Sequence, residues 1–103
     1  MADRRRRIVW TAQARSALDD ILGYIAQDSP QAARAVLKKV LDTTEALSTL
    51  SERGRIVPEI DDPSIREVFV HSYRLIYEVN REEVAVLAIL HGARDFAKWR
   101  ENG

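Results

Sequence analysis

Apolar residues fall at two spacings along this chain, and the change from one to the other divides it. From Thr11 to about Leu50 they recur every three or four positions, the period of helices with one buried face, whereas from Ile65 to Leu90 they alternate or run on, as in strands. Before the first helix, Arg7-Ile8-Val9-Trp10 reads as a short strand. Thr11 follows it with a side-chain oxygen suited to capping a first-turn amide. A helix over 12–27 then places Ala14, Leu18, Ile21, Leu22 and Ile25 on one stripe. Asp28-Ser29-Pro30 ends it and starts the next, because proline fits a first turn and Ser29 is a natural N-cap. The second helix, over 30–50, carries Ala33, Val36, Leu37, Val40, Leu41, Thr44 and Leu47 on its stripe. So short a connection predicts an antiparallel helical hairpin.

Ser51 to Pro63 holds Gly54, Pro58, Pro63 and the Asp61-Asp62 pair, and reads as a loop with a short extended segment at 55–60. Three strands follow, over 65–70, 73–79 and 84–90, joined by links at His71-Ser72 and at 80–83 that favour consecutive antiparallel hairpins. In the last strand Val84, Val86, Ala88 and Leu90 alternate with Ala85, Leu87 and Ile89, so both faces are apolar and both need cover. The order β-αα-βββ predicts an α+β domain in which a helical hairpin packs on an antiparallel sheet.

A chain of 103 residues with 46% hydrophobic content suits one domain over 1–103 with one modest core. Residues 1–6 form a basic leading segment and 96–103 a C-terminal tail. Sixteen basic and sixteen acidic residues cancel, so net charge supplies no reason to expect nucleic-acid binding. The basic block Arg4 to Arg7 reads best as a solvated tail or a guard on a sheet edge. With no cysteine, disulfides and thiolate chemistry are excluded, and two separated histidines make a poor zinc site. No cofactor is expected. No apolar run approaches the roughly 20 residues of a membrane span, and no signal peptide is recognisable. A soluble cytoplasmic protein is the expectation.

Arg74 is the residue that most needs a partner. It sits in the strand Tyr73-Arg74-Leu75-Ile76-Tyr77, and a guanidinium cannot shed its charge on burial. Either a carboxylate across the strands, Glu67 or Glu78, or a bound anion would satisfy it.

The order and spacing of several segments resemble the RelE/ParE superfamily of toxins from type II toxin-antitoxin modules. They are Val9-Trp10-Thr11, Leu18-Asp19-Asp20-Ile21 to Tyr24-Ile25-Ala26, Ser29-Pro30-Gln31-Ala32-Ala33, Gly54-Arg55-Ile56-Val57-Pro58-Glu59, Arg66-Glu67, Tyr73 to Tyr77, and Leu90-His91-Gly92-Ala93-Arg94-Asp95. The superfamily contains ribosome-dependent mRNA endonucleases and, on its ParE side, proteins that poison DNA gyrase.

Cleavage through a 2′-hydroxyl needs a base, an acid and cations for the developing phosphate charge. The resemblance to RelE-like nucleases assigns the cations to Arg74 and Arg94. It assigns the lysine pair and tyrosine of RelE to positions that here hold Ile65, Glu67 and Arg100, and a carboxylate at 67 would repel a phosphate. YoeB-like nucleases offer another match, in which Glu59, Arg74 and His91 imitate base, phosphate clamp and acid, with their tyrosine missing. The ParE-like reading therefore leads. It implies a growth inhibitor that binds DNA gyrase and is neutralised by a cognate antitoxin, with Arg66, Arg74, Arg94 and Trp99 as the antitoxin- or target-binding residues. The alternative is a metal-independent endonuclease acting on mRNA at the ribosome through Glu59, Arg74, His91 and Arg94, and a member that has lost toxicity is a third possibility.

Overall fold

The computed structural model describes residues 5–102, with Ala93, Arg94 and Asn102 described by backbone alone. Strand β1 (Arg7–Trp10) leads into helices α1 (Ala12–Asp28) and α2 (Pro30–Ala46). Strands β2 (Arg55–Ile56), β3 (Ile65–Val70), β4 (Tyr73–Val79) and β5 (Glu83–Leu90) follow, and helix α3 (Ala93–Asn102) closes the chain.

Local chemistry explains the hairpin. The Thr11 hydroxyl accepts from the Ala14 amide at 3.0 Å, and the Ser29 hydroxyl accepts from Ala32 N–H at 3.0 Å. Ser29 serves both helices, because its own N–H donates to the Ile25 carbonyl at 3.0 Å and so closes α1. Pro30 takes the first position of α2, where no amide is required. The second helix stops at Ala46 rather than near Leu50, and Leu47 turns inward as its fully buried C-cap.

The five strands form one sheet in the order β1-β5-β4-β3-β2. The meander β3-β4-β5 is antiparallel as the short links predict. β1 departs from that pattern by pairing parallel to β5, with Ile8 beside Val84 and Trp10 beside Val86. The sheet is therefore mixed, since the hairpin and three strands intervene and return the chain alongside its start.

A bulge corrects the expected facing of β5. Tyr77 pairs with Val86 and Ile76 with Ala88, which leaves Leu87 without a register partner. Alternation shifts by one there. Val84, Val86 and Ile89 face the hairpin, whereas Ala88 and Leu90 join the opposite side. The Thr11 N–H donates to Val86 O at 3.1 Å and its hydroxyl lies 3.4 Å from Leu87 O, so the α1 cap also secures the bulge.

Both faces are covered. On one, Ala14, Leu18, Val40 and Leu47 from the helices meet Val70, Leu75, Tyr77, Val84, Val86 and Ile89. On the other, Phe96 of α3 and Val57 of the loop bury Ile76, Ala88 and Leu90, with Trp99 and Ile60 at the margin. The stretch expected as a tail thus forms a helix that supplies the second layer. One stripe residue is corrected: Leu41 is 49% exposed. Successive helical residues turn by about 100°, and Val40 already marks the stripe's centre, so Leu41 falls on its flank.

Candidate functional site

Arg74 lies on the α3 side of the sheet, opposite Phe69 on β3 and Leu90 on β5. Its Nε donates to Glu67 Oε1 at 2.7 Å, and Nη2 lies 2.6 Å from the same oxygen. The outer fork holds Glu59, with Nη1 to Oε2 at 3.2 Å and Nη2 to Oε1 at 3.0 Å, a bidentate geometry suited to a guanidinium. The Phe96 ring of α3 stacks against it, 4.7 Å from the guanidinium carbon. Arg74 is therefore held by internal carboxylates and keeps only 13% of its side-chain surface exposed.

Glu67 is the pivot of this arrangement. Its side chain is completely buried, and its second oxygen accepts from Arg55 Nε at 2.5 Å. A buried carboxylate needs such pairing, because desolvation costs several kcal/mol or more when a charge is left alone. The four groups Arg55, Glu67, Arg74 and Glu59 form a chain of alternating charge. Hydrogen bonding from Arg74 holds the Glu59 carboxyl below its ordinary pKa of 4.5, and bonding to Glu59 in turn raises the pKa of Arg74 against the opposing effect of burial.

A second set of contacts fixes the loop before β2. The Tyr77 hydroxyl donates to Ser51 O at 2.8 Å and accepts from Gly54 N–H at 2.9 Å, and burial pushes its pKa up. A Cβ at Gly54 would stand 2.4 Å from the Glu67 carbonyl oxygen and 2.6 Å from that hydroxyl, so only glycine fits. Arg66 serves the same loop, donating from Nη1 to Gly54 O and from Nε to Pro63 O, both at 3.0 Å.

The residues expected to act together are only partly assembled. Glu59 and Arg74 meet, but His91 stacks on Tyr73 at 5.1 Å, and Tyr73 packs with the hairpin-side core across the sheet from Arg74. The His91 side chain is exposed, and its backbone N–H donates to Asp95 Oδ2 at 3.0 Å. Trp99 packs edge-on to Phe96 at 5.6 Å and borders a groove with Ile60, Ile65 and Leu87. The side chain of Arg94 lies outside the described residues, as does Arg4 of the basic block. Arg55 and Phe96 were not anticipated. Only the parity of strands offered a signal for Arg55, which pairs directly opposite Glu67.

This fold and this arginine on the central strand can be set beside known proteins. Residues 8–96 match the family model described as the ParE toxin of the type II toxin-antitoxin system parDE. The chain belongs to the ParE toxin family. Among curated relatives it is 34% identical over 89 residues to toxin RelE2 of Caulobacter vibrioides, covering 85% of this chain and 97% of that one. It is 33% identical over 89 residues to Y4kP of Sinorhizobium fredii, covering 84% of this chain and 88% of the relative. In three dimensions it resembles a chain of the chromosomal ParDE system from P. aeruginosa, with a TM-score of 0.70 and 19% identity over 87% of this chain and 99% of that one. That likeness establishes the shared fold. As a ParE family member the protein is the toxin of a type II toxin-antitoxin system, and a cognate antitoxin is its partner.

Proposed function

We propose that this toxin stops growth by binding DNA gyrase, in the cytoplasm and as a single domain, without cutting RNA and without a cofactor. The observation that carries this reading is the double engagement of Arg74 by Glu59 and Glu67. A phosphate clamp must offer its cation to substrate, and here both edges of the guanidinium are given to internal carboxylates. Glu59 is equally ill suited to abstract a proton, because a carboxyl held below its ordinary pKa is a weak base near neutrality. His91 lies across the sheet from both. Among the described residues no helix is long and apolar enough to cross a membrane.

In this reading Arg66 on the hairpin side of the sheet, Arg74 and Trp99 on the α3 side, and Arg94 are the residues that meet the antitoxin or the target. Arg66 is half-buried and Trp99 borders the groove beside α3, positions from which each can touch a partner. A second reading has its own support: Glu59 sits against Arg74, as a YoeB-like nuclease acting on mRNA at the ribosome would need, and one relative bears the name RelE2.

Induction in cells, with the DNA-damage response and translation followed in parallel, separates the two. Early DNA damage with translation continuing is the expected result. Immediate translation arrest with cut mRNA overturns the gyrase reading.

A further inference from the structure

β1 ends the sheet on one side, and among the described residues no strand lies along its outer edge. The parallel ladder fixes which backbone groups that edge presents. Arg7 N–H donates to Glu82 O at 2.9 Å and Thr11 N–H to Val86 O at 3.1 Å, so Arg7, Val9 and Thr11 turn their backbone groups to β5. Those of Ile8 and Trp10 therefore point away from the sheet. One step earlier, Arg6 N–H faces the same way and is taken by Ser48 O at 2.8 Å. Among the described residues no backbone group bonds Ile8 or Trp10 from that side.

An edge strand is ordinarily guarded by charge, proline or a bulge. Ile8-Val9-Trp10 has none of these, and the arginines before it are turned elsewhere. Arg7 pairs with Glu83 of β5 at 2.7 Å, and Arg6 reaches Asn80 O and the Ser51 hydroxyl. Ile8 and Trp10 pack with the hairpin-side core, so alternation puts Val9 on the α3 side. After Thr11 the chain turns back, and α1 packs over β5. A hollow is left beside Trp10, lined by Ala12, Arg15, Ser16 and Asp19 of α1. Among the described residues neither Arg15 nor Asp19 has an ion-pair partner.

We infer that a second copy of this chain adds to this edge, β1 against β1 and antiparallel, about a two-fold axis through Val9. One register closes the edge. In it Ile8 of each copy exchanges a pair of hydrogen bonds with Trp10 of the other, which satisfies every outward N–H and C=O of both residues. An axis through Ile8 would need the Arg6 N–H that Ser48 holds, and one through Trp10 would need Ala12, already in α1. The side chains agree with the backbone. Ile8 falls beside Trp10, Val9 meets Val9, and Arg7 lies opposite Thr11, so no like charges oppose. Both hairpins then share one face of a continuous sheet, with their α1 helices antiparallel, and Arg15 of each copy faces Asp19 of the other. A foreign strand would answer the backbone groups alone, whereas a second copy also pairs these charges. A four-residue strand makes a small interface, so the association is reversible. It stands independently of the gyrase reading and leaves the opposite sheet edge and the Arg74 site uncovered.

The test is sedimentation of the full chain, without an N-terminal tag, from micromolar to submillimolar concentration, with amide hydrogen exchange read at both ends of that range. The mass is expected to rise from 11.7 kDa toward twice that value. Over the same range exchange at the Ile8 and Trp10 amides is expected to slow by about threefold or more. Arg15→Glu should weaken self-association by about tenfold or more, and Arg15→Glu combined with Asp19→Arg should restore it, because the swap re-forms both pairs. These substitutions lie on the exposed face of α1, and the melting temperature at low concentration should not change. Val9→Lys, which sets two ammonium groups together on the axis, should leave the chain monomeric. A chain that stays at 11.7 kDa throughout overturns the proposal. A dimer that tolerates Arg15→Glu, or whose Ile8 and Trp10 amides exchange as in the monomer, overturns it by placing the contact elsewhere. Protection of those amides only after the protein of the adjoining reading frame is added assigns the edge to the antitoxin and overturns it as well.

Discussion

Glu59 and Arg74, 15 residues apart in sequence, meet through two near-parallel hydrogen bonds that tie the loop after β2 to the middle of the sheet. Behind them the buried Glu67 holds the other edge of the guanidinium. A residue type that nucleases of this fold class would aim at phosphate is here a structural cross-link, and its consequences can be measured.

The first consequence is a pH dependence. The Glu59 carboxyl, lowered from 4.5 chiefly by its hydrogen bond with Arg74, favours the folded state when ionised. That contribution is fully present above the ordinary glutamate pKa and is lost as pH falls below 4.5 through the lower folded value. Denaturant unfolding of the wild type and Glu59→Gln should show a gap in stability at pH 7 that closes in this acid window. Because half of the Glu59 side chain is in water, the gap should be small. Glu67→Gln should cost far more, about 3–5 kcal/mol, since it breaks a buried pair. Equal costs for the two substitutions would contradict the ranking.

The second concerns the Tyr77 hydroxyl. Tyr77→Phe leaves Gly54 N–H and Ser51 O without their partner, so a loss of roughly 1–3 kcal/mol is expected in equilibrium unfolding. Gly54→Ala should destabilise more than the ordinary surface substitution, because the added methyl meets backbone and cannot be relieved by a side-chain rotation. A neutral Gly54→Ala would show that the loop relocates freely.

The third separates two leucines of one helical segment. Leu47 is fully buried and Leu41 is half exposed. Leu47→Ala should cost about 2–5 kcal/mol, and Leu41→Ala should remain within roughly 1 kcal/mol of wild type. Thermal or denaturant unfolding of the pair decides it, and a reversed order would place the wrong face of α2 against the sheet.

The fourth lies in the β3-β4 turn. His71 adopts φ 54°, a left-handed conformation that costs an L-residue energy and glycine little. His71→Gly should therefore be neutral or stabilising by up to about 1 kcal/mol despite the flexibility it adds to the unfolded chain. A clear loss of stability would mean that the imidazole makes a contact worth more than the strain.

The elements differ in how openly the sequence announced them. The hairpin was legible because its signals are local: two caps, Thr11 and Ser29, a proline at the start of α2, and stripes at helical spacing. The bulge at Leu87 was not, because it is set by pairing with β4 and by Thr11 from the other end of the chain. α3 was hidden by its composition, with Phe96 and Trp99 as its large apolar residues amid charge. At the site, strand parity pointed to Glu67 as one partner for Arg74, and the structure selects it over Glu78. In sequence Glu59 fits a catalytic pattern, and only the folded loop shows that it serves as a carboxylate partner to Arg74.

The most direct test of the gyrase reading is a paired assay of the purified toxin: supercoiling of plasmid by DNA gyrase, and integrity of mRNA on translating ribosomes, for wild type, Glu59→Gln and His91→Gln. The account predicts that all three block supercoiling to a similar extent and leave mRNA whole. Cleaved mRNA that disappears in either variant by about 10²-fold or more, the scale of a lost general acid or base, with gyrase unaffected throughout, would contradict it.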